Sequence, residues 1–437
     1  MRPEAHTAET FRKALRKGQG RALQAVLAEG RLIDEEAMLD ACLHDRSYDP
    51  QLEAERAPWL IDILTAAESV DRFQAPILDA LSRSSDTWDL AQLCELAEVY
   101  AQRGSENARR ALYRAWDRSP DPSAPWLAEE QILRLDGLEG LLYIAERRGA
   151  AVRRGDESWG LHDIVKDAEG ICGPKAVADA LEASALRSAD FAAFAKQAEE
   201  ERRRHLEQAS KDRVGLRKGV QALPLAQVLD AIEGKPTGLS NHMLGRWGRR
   251  ADEDSLQCVA EGLLREADPE RLVRYLAVFS RRPLPEFDAR LIGLLDHDDA
   301  GVKRGAARAL SENEAPALRD LALSRLEDGK ADGDTLGLLK HNYRAGDHRL
   351  IESRLAECED PDETHDICWG LRDVFDQADR SEGAGCMLFG YEHTPCSNCR
   401  QVFFAWLKDR GEAPAEVTAE CRFDANPDIR KLAEGTD

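Results

Sequence analysis

Acidic turn residues, each followed by a new run of helix-spaced apolar side chains, recur at Asp268, Asp298, Asp328 and Asp360. The intervals are 30, 30 and 32 residues. Each leaves room for two helices of about a dozen residues and two turns, which is one helical hairpin. A lone hairpin cannot cover its own apolar face, so successive hairpins must stack and bury those faces against one another. The expected fold is therefore an α-solenoid.

The rest of the chain agrees in periodicity. Apolar residues recur at helical spacing nearly throughout, and no stretch of alternating β-branched residues calls for a strand, so the fold class is all-α. Early helices are expected over Thr10–Lys17, Ala22–Glu29, Glu35–Cys42, Trp59–Ala67, Phe73–Leu81, Trp88–Gln102 and Ala108–Arg118. Gly30 is placed to end one of them, and Ser119, Pro120, Pro122 and Pro125 break the chain after another. From Phe191 to Asp212 the pattern changes to a helix charged on every side after Ala198, which marks an exposed or bridging element. A boundary near Val214 to Leu223 divides the chain into an N-terminal half, 1–213, and a C-terminal half, 214–437.

Within the second half, Leu291–Leu310 has Leu294 and Leu295 ending one helix, an acidic turn at Asp296, Asp298 and Asp299, then Val302 and a small-residue stripe of Ala306, Ala307, Ala309 and Leu310. This segment resembles a HEAT repeat, and more closely the short variety named after phycobilin lyases. An acidic side chain can cap the second helix, and alanines permit close interhelical approach. Lys303 stands where the family usually has arginine. A second match, Phe423–Ala433, carries Asp424, Asn426, Pro427, Ile429, Arg430 and Ala433 in HEAT order and is expected to form a terminal cap. Weaker echoes occur at Asp268–Leu276 and Gly104–Ala115. The resemblance implies a scaffold or recognition surface rather than chemistry.

Charge narrows the partners. The 60 Lys and Arg face 82 Asp and Glu, a formal net charge of −22. That field repels nucleic-acid phosphates and anionic membranes and attracts basic partners. Acidity deepens along the chain, from −8 over residues 1–220 to −14 over 221–437. The stretch holding Glu357, Glu359, Asp360, Asp362, Glu363 and Asp366 has no Lys or Arg and reads as a solvated loop, the candidate contact for a basic protein. Arg202, Arg203 and Arg204 form a basic cluster, but Glu199, Glu200, Glu201 and Glu207 can pair with it along the helix. No run of about 18 apolar residues and no signal-peptide core is present, which fits a cytoplasmic protein.

Ten cysteines scattered through a long chain suit reduced thiols better than a disulfide framework. Cys42, Cys94, Cys258 and Cys368 sit inside apolar helical patterns and are expected to be buried. One constellation stands out: Cys386, His393, Cys396, Cys399 and Cys421. As a zinc site, the thiolates of Cys396 and Cys399 would be completed by His393 and by Cys386 or Cys421, since structural zinc takes four nitrogen or sulfur ligands. A redox reading would use Cys396 and Cys399 at a helix N-terminus, but the strand of a thioredoxin-like motif is missing. The simplest reading has Thr394 as N-cap and Pro395 as the first residue of a helix to Leu407, with both cysteines packed in its first turns. The expectation is then no metal and no cofactor.

The glycine-rich phosphate loops, nucleophile elbow and zinc-protease helix motif are missing, so no enzymatic activity is expected. Trp59, Trp88, Trp116, Trp126, Trp159, Trp247, Trp369 and Trp406 are dispersed, as core anchors would be. His162 with Asp163, and His341 with Asn342, are isolated polar pairs. The leading expectation is a non-catalytic scaffold that presents an acidic concave face to a protein partner, with an inhibitor or immunity-type protein as one version. The alternatives implied by the HEAT resemblance are a nucleic-acid binder or DNA glycosylase, which would need a basic stripe joining Arg202–Arg204 to Arg246, Arg249 and Arg250, and a lyase-like role toward a bilin.

Overall fold

The computed structural model describes residues 7–118, 127–156, 159–218, 223–355, 360–376 and 380–435, with backbone alone for 209–218. Among them every regular element is a helix. The early helices run Ala8–Lys17, Arg21–Glu29, Glu35–Leu43, Ala57–Ala66, Val70–Arg83, Thr87–Gln102 and Glu106–Asp117, within three residues of the expected ends. Side-chain caps set several of these starts. Thr7 and Thr10 form a reciprocal capping box, and Asp34, Asp86 and Ser105 accept backbone N–H groups at three others. Gly30 ends its helix at φ 64°, a left-handed conformation natural to glycine. The Ser119–Pro125 break and Trp126 lie outside the described residues.

The chain divides into two compact units, Met1–Lys211 with Glu416–Asp437, and Asp212–Ala415. The first crossing lies between Lys211 and Asp212. The second corrects the reading of the terminal HEAT-like segment, which joins the N-terminal unit instead of capping the C-terminal half. Ala425 donates its amide to the Gly18 carbonyl at 3.0 Å. The Trp59 indole donates to the Phe423 carbonyl at 2.8 Å, and Arg21 pairs with Glu420 at 2.9 Å. Gly20 makes the approach possible: a Cβ there would stand 2.0 Å from the Glu420 carbonyl oxygen and 2.8 Å from the Phe423 carbonyl carbon. Ala425 is buried in the same core as Phe11, Leu15, Trp59 and Leu60. A local sequence match fixes a helix but not its neighbours, and here the neighbours are the first helices of the chain.

Unit 1 also buries charge. The Glu129 carboxylate accepts the Trp116 indole N–H at 2.9 Å and Arg148 Nε at 3.0 Å. Burial pushes this carboxyl up to about 7, outweighing the opposing pull of Arg148.

In unit 2 the acidic caps fall at Asp268, Asp299, Asp332 and Asp360, opening Pro269–Val278, Ala300–Ser311, Gly333–Gly337 and Pro361–Phe375. Two differ from expectation. Asp299 rather than Asp298 accepts the Gly301 and Val302 amides, and Asp328 ends the Pro316–Glu327 helix while Asp332 opens the next. The helix containing Leu294 and Leu295 is also shorter than expected: Ala289–Asp296 is a 3₁₀ helix. Pro283 and Pro285 interrupt the chain just upstream, leaving little room before the Asp299 cap.

A ladder of side chains ties consecutive cap-led helices together. Arg282 donates to the Ala251 carbonyl at 2.8 Å. Asn313 Oδ1 accepts the Leu284 amide at 2.9 Å, and Asn342 Oδ1 accepts the Ala315 amide at 2.8 Å while its Nδ2 donates to the Asn313 carbonyl at 2.9 Å. Arg380 then donates to the Lys340 carbonyl at 2.9 Å. Each rung follows one cap-led helix; those from Arg282, Asn313 and Asn342 reach 27 to 31 residues upstream, and that from Arg380 reaches 40. Asn342 is therefore a structural rung, not an isolated polar residue.

The charged helix extends from Ala189 to Lys218, with Arg202 hydrogen-bonded to Glu199 at 2.7 Å in solvent, as expected. Its early turns bury Phe194 and Ala198; Glu201 is buried too, accepting the His162 amide at 3.1 Å. Cys42, Cys94 and Cys368 are buried, but Cys258 is exposed on the outer side of its helix. Trp59, Trp116, Trp247 and Trp406 anchor the interior, whereas Trp159 and Trp369 face solvent. Among the described residues no helix is long and apolar enough to cross a membrane.

Candidate functional site

Two places gather chemistry-bearing side chains, one in each unit. In unit 1 a cleft of about 170 Å³ is lined by Asp45, Glu55, Trp88, Glu95, Glu130 and Gln131, among others. The Thr87–Gln102 helix supplies Trp88 and Glu95, the Glu129–Arg154 helix supplies Glu130 and Gln131, and the segment before Ala57 supplies Glu55. Arg134, on the same helix as Glu130, gathers three carboxylates. It donates to Glu98 at 2.6 Å, Glu95 at 2.9 Å and Glu130 at 3.2 Å. One guanidinium thus serves three carboxylates beside a fourth, Glu55. The consequence is visible in Glu55, whose carboxyl is held above its ordinary range by desolvation and then by Glu95, with Glu130 and Glu98 adding to the effect against Arg134. Asp167, on the Leu161–Cys172 helix, is raised by burial and then by Glu130 and Asp163. The negative potential therefore continues beyond the cleft. Arg56 is also at the wall, but it pairs with buried Glu53 and donates to the Arg16 carbonyl.

The acidic run singled out in sequence has a different place. Glu357 and Glu359 lie outside the described residues, and from Asp360 onward the run is a helix start rather than a loop. Asp360 accepts the amides of Asp362 and Glu363 at 2.9 Å, Pro361 occupies the first turn, and the acidic residues there complement the helix dipole. Asp366 accepts the Gly333 amide at 2.9 Å. Asp360 and Asp366 are thus engaged by backbone amides.

In unit 2, Cys396 and Cys399 do converge with a histidine, but not His393. The ligand atoms of His365, Cys396 and Cys399 lie within 4.8 Å of one another, with His365 Nε2 3.2 Å from Cys399 Sγ. His365 comes from the helix that Asp360 caps. The two cysteines sit at the start of Ser397–Asp409, where Cys396 itself is the N-cap. Thr394 instead terminates the preceding helix, Ala384–His393, and its hydroxyl accepts the Cys396 amide at 3.3 Å, so the helix begins two residues later than expected. Both thiols are buried, at 6 % and 8 % exposure. The Cys399 thiol is pushed well up by its hydrogen bond with Cys396, then by burial and by the charge that Cys396 and Cys368 would carry.

The other expected ligands lie elsewhere. His393 stacks on Phe389 at 4.2 Å between ring centroids. Cys386 points its sulfur at the His348 carbonyl, 3.9 Å away, and burial raises its thiol. Cys421 belongs to unit 1. His365 was missed because it lies 31 residues before Cys396, on a different helix. No family model matches the chain, and neither the curated proteins nor the solved structures include one significantly similar to it.

Proposed function

We propose that the chain is a non-catalytic α-solenoid scaffold of HEAT-like hairpins that holds a basic protein segment in the acidic cleft of unit 1. The observation that carries this reading is the carboxylate excess there: Glu55, Glu95, Glu98 and Glu130 gathered about Arg134, with Trp88 in the wall. A partner's lysine or arginine would relieve that repulsion and could lie against the indole. The evenly recurring Asp caps and the Arg282–Asn313–Asn342–Arg380 ladder support the hairpin stacking. An inhibitor or immunity-type protein acting on a basic target is one form of this function.

Because a chain of charge −22 attracts any polycation, the test is positional. Calorimetric titration with a lysine- and arginine-rich peptide would compare Glu55→Gln/Glu130→Gln with a control, Asp254→Asn/Glu261→Gln, on an exposed helix. At about 0.7 kcal/mol per carboxylate, the cleft pair should weaken binding roughly tenfold. Equal weakening by the control would dismiss the cleft as the site.

A further inference from the structure

We propose that His365, Cys368, Cys396 and Cys399 form a structural zinc site that clamps the Pro361–Phe375 helix to the start of Ser397–Asp409. Three members already converge, with ligand atoms within 4.8 Å of one another. Around tetrahedral zinc, with Zn–S near 2.3 Å and Zn–N near 2.0–2.1 Å, paired sulfurs stand about 3.8 Å apart and a sulfur and a nitrogen about 3.6 Å apart. The 3.2 Å between His365 Nε2 and Cys399 Sγ is close to that edge.

The fourth corner falls to Cys368, whose thiol rests 3.9 Å from the Gly390 carbonyl, outside the three-residue cluster, and turns to the metal when it binds. Cys368 lies three residues after His365 on the same helix, so both side chains project from one face. It is 1 % exposed. The spacing becomes His-x₂-Cys followed by Cys-x₂-Cys, two ligand pairs from two elements, as structural zinc sites are built. Such a set of soft ligands in a buried position selects zinc over magnesium or calcium. The closed set of four leaves no position for water or substrate, so the role is structural.

Binding exchanges protons for metal: Zn²⁺ and three neutral thiols, with neutral His365, give a three-thiolate, one-imidazole complex of charge −1 and release three protons. Affinity therefore rises with pH.

The test uses the full chain, expressed with zinc and dialysed under reducing conditions, then analysed for metal. Cobalt(II) replaces zinc in a parallel sample, where the sulfur-to-cobalt charge-transfer intensity counts thiolates. The expected result is one zinc per chain and a tetrahedral cobalt spectrum with three thiolates. Cys399→Ser should retain under a tenth of an equivalent, and Cys368→Ser should lose about a third of the cobalt charge-transfer intensity. Cys386→Ser, Cys421→Ser and His393→Ala should each keep the full equivalent. Because a ligand variant could fail to fold, the wild-type cobalt spectrum decides independently. Absence of both zinc and a tetrahedral cobalt band in the helical wild-type chain would overturn the site. A two-thiolate spectrum, unchanged in Cys368→Ser, would overturn the four-ligand assignment.

Discussion

Replacing Asn342 by alanine tests whether the side-chain ladder holds the helices of unit 2 in register. Asn342 is 7 % exposed and makes three hydrogen bonds to backbone. Its Oδ1 accepts the Ala315 amide at 2.8 Å, while Nδ2 donates to Asn313 at 2.9 Å and to Leu338 at 2.8 Å. Truncation removes the only acceptor shown for the Ala315 N–H, and a buried donor without a partner costs about 1–3 kcal/mol. The two carbonyls lose one donor each at a net of about 0.5–1.5 kcal/mol apiece, a loss reduced if water enters the gap. About 3 kcal/mol of local stability should therefore disappear. Since 1.4 kcal/mol is a factor of ten, native-state hydrogen exchange at the Ala315 amide should quicken by about 150-fold. Asn342→Asp should do no better, because it keeps the acceptor but loses both donors and buries a carboxylate. His341→Ala, next in sequence and exposed, should change stability by under about 0.5 kcal/mol. Exchange at Ala315 within threefold of the wild type would refute the ladder as a source of register.

Two further perturbations address unit 1. Gly20→Ala places a methyl group 2.0 Å from the Glu420 carbonyl oxygen, and backbone on both sides leaves little room to relax. It should cost about 3 kcal/mol and strip protection from the Ala425 amide; unchanged exchange there would show that the C-terminal segment does not depend on this contact. Glu129→Gln tests the buried carboxyl. Its folded pKa, about 7, lies above its ordinary value of 4.5, so the folded state binds the extra proton between them. That contribution to stability is fully present below pH 4.5 and lost as pH rises through 7. Acidifying from pH 7.5 to 5 should raise the melting temperature of the wild type relative to Glu129→Gln, and a constant difference would contradict the assignment.

How much of this was legible in sequence depends on the range of the interaction. Helix ends were, because a cap acts on amides two or three residues away: Asp268 before Pro269, Asp360 before Pro361 and Asn426 before Pro427 all start helices. The all-α class was legible for the same reason, since periodicity is local. Register was not. Asp298 and Asp299 are equivalent as letters, and only the observed geometry assigns the cap to Asp299. Long-range contacts left weaker marks. The HEAT-like order at Phe423–Ala433 identified a helix but carried no information that Gly18, Gly20 and Trp59 would receive it. The acidic cleft left no mark in the sequence, because Glu55, Glu95 and Glu130 are far apart along the chain, whereas charge density drew attention to Glu357–Asp366, where Asp360 caps a helix.

The cysteine cluster shows why proximity in sequence is a poor guide in a helical chain. His393 stands three residues before Cys396, yet it ends one helix while Cys396 begins the next, and the turn at Thr394 and Pro395 leaves His393 against Phe389. His365 is 31 residues before Cys396, yet their ligand atoms lie within 4.8 Å of one another. A similar interval joins Asn342 to Asn313, 29 residues apart. Polar residues about one such interval apart are thus the pairs to examine first in such a chain. Cys368 was read as a small buried hydrophobe, and it is buried. Such burial is also what the proposed closed metal site requires, so packing and ligation are not competing accounts of that residue.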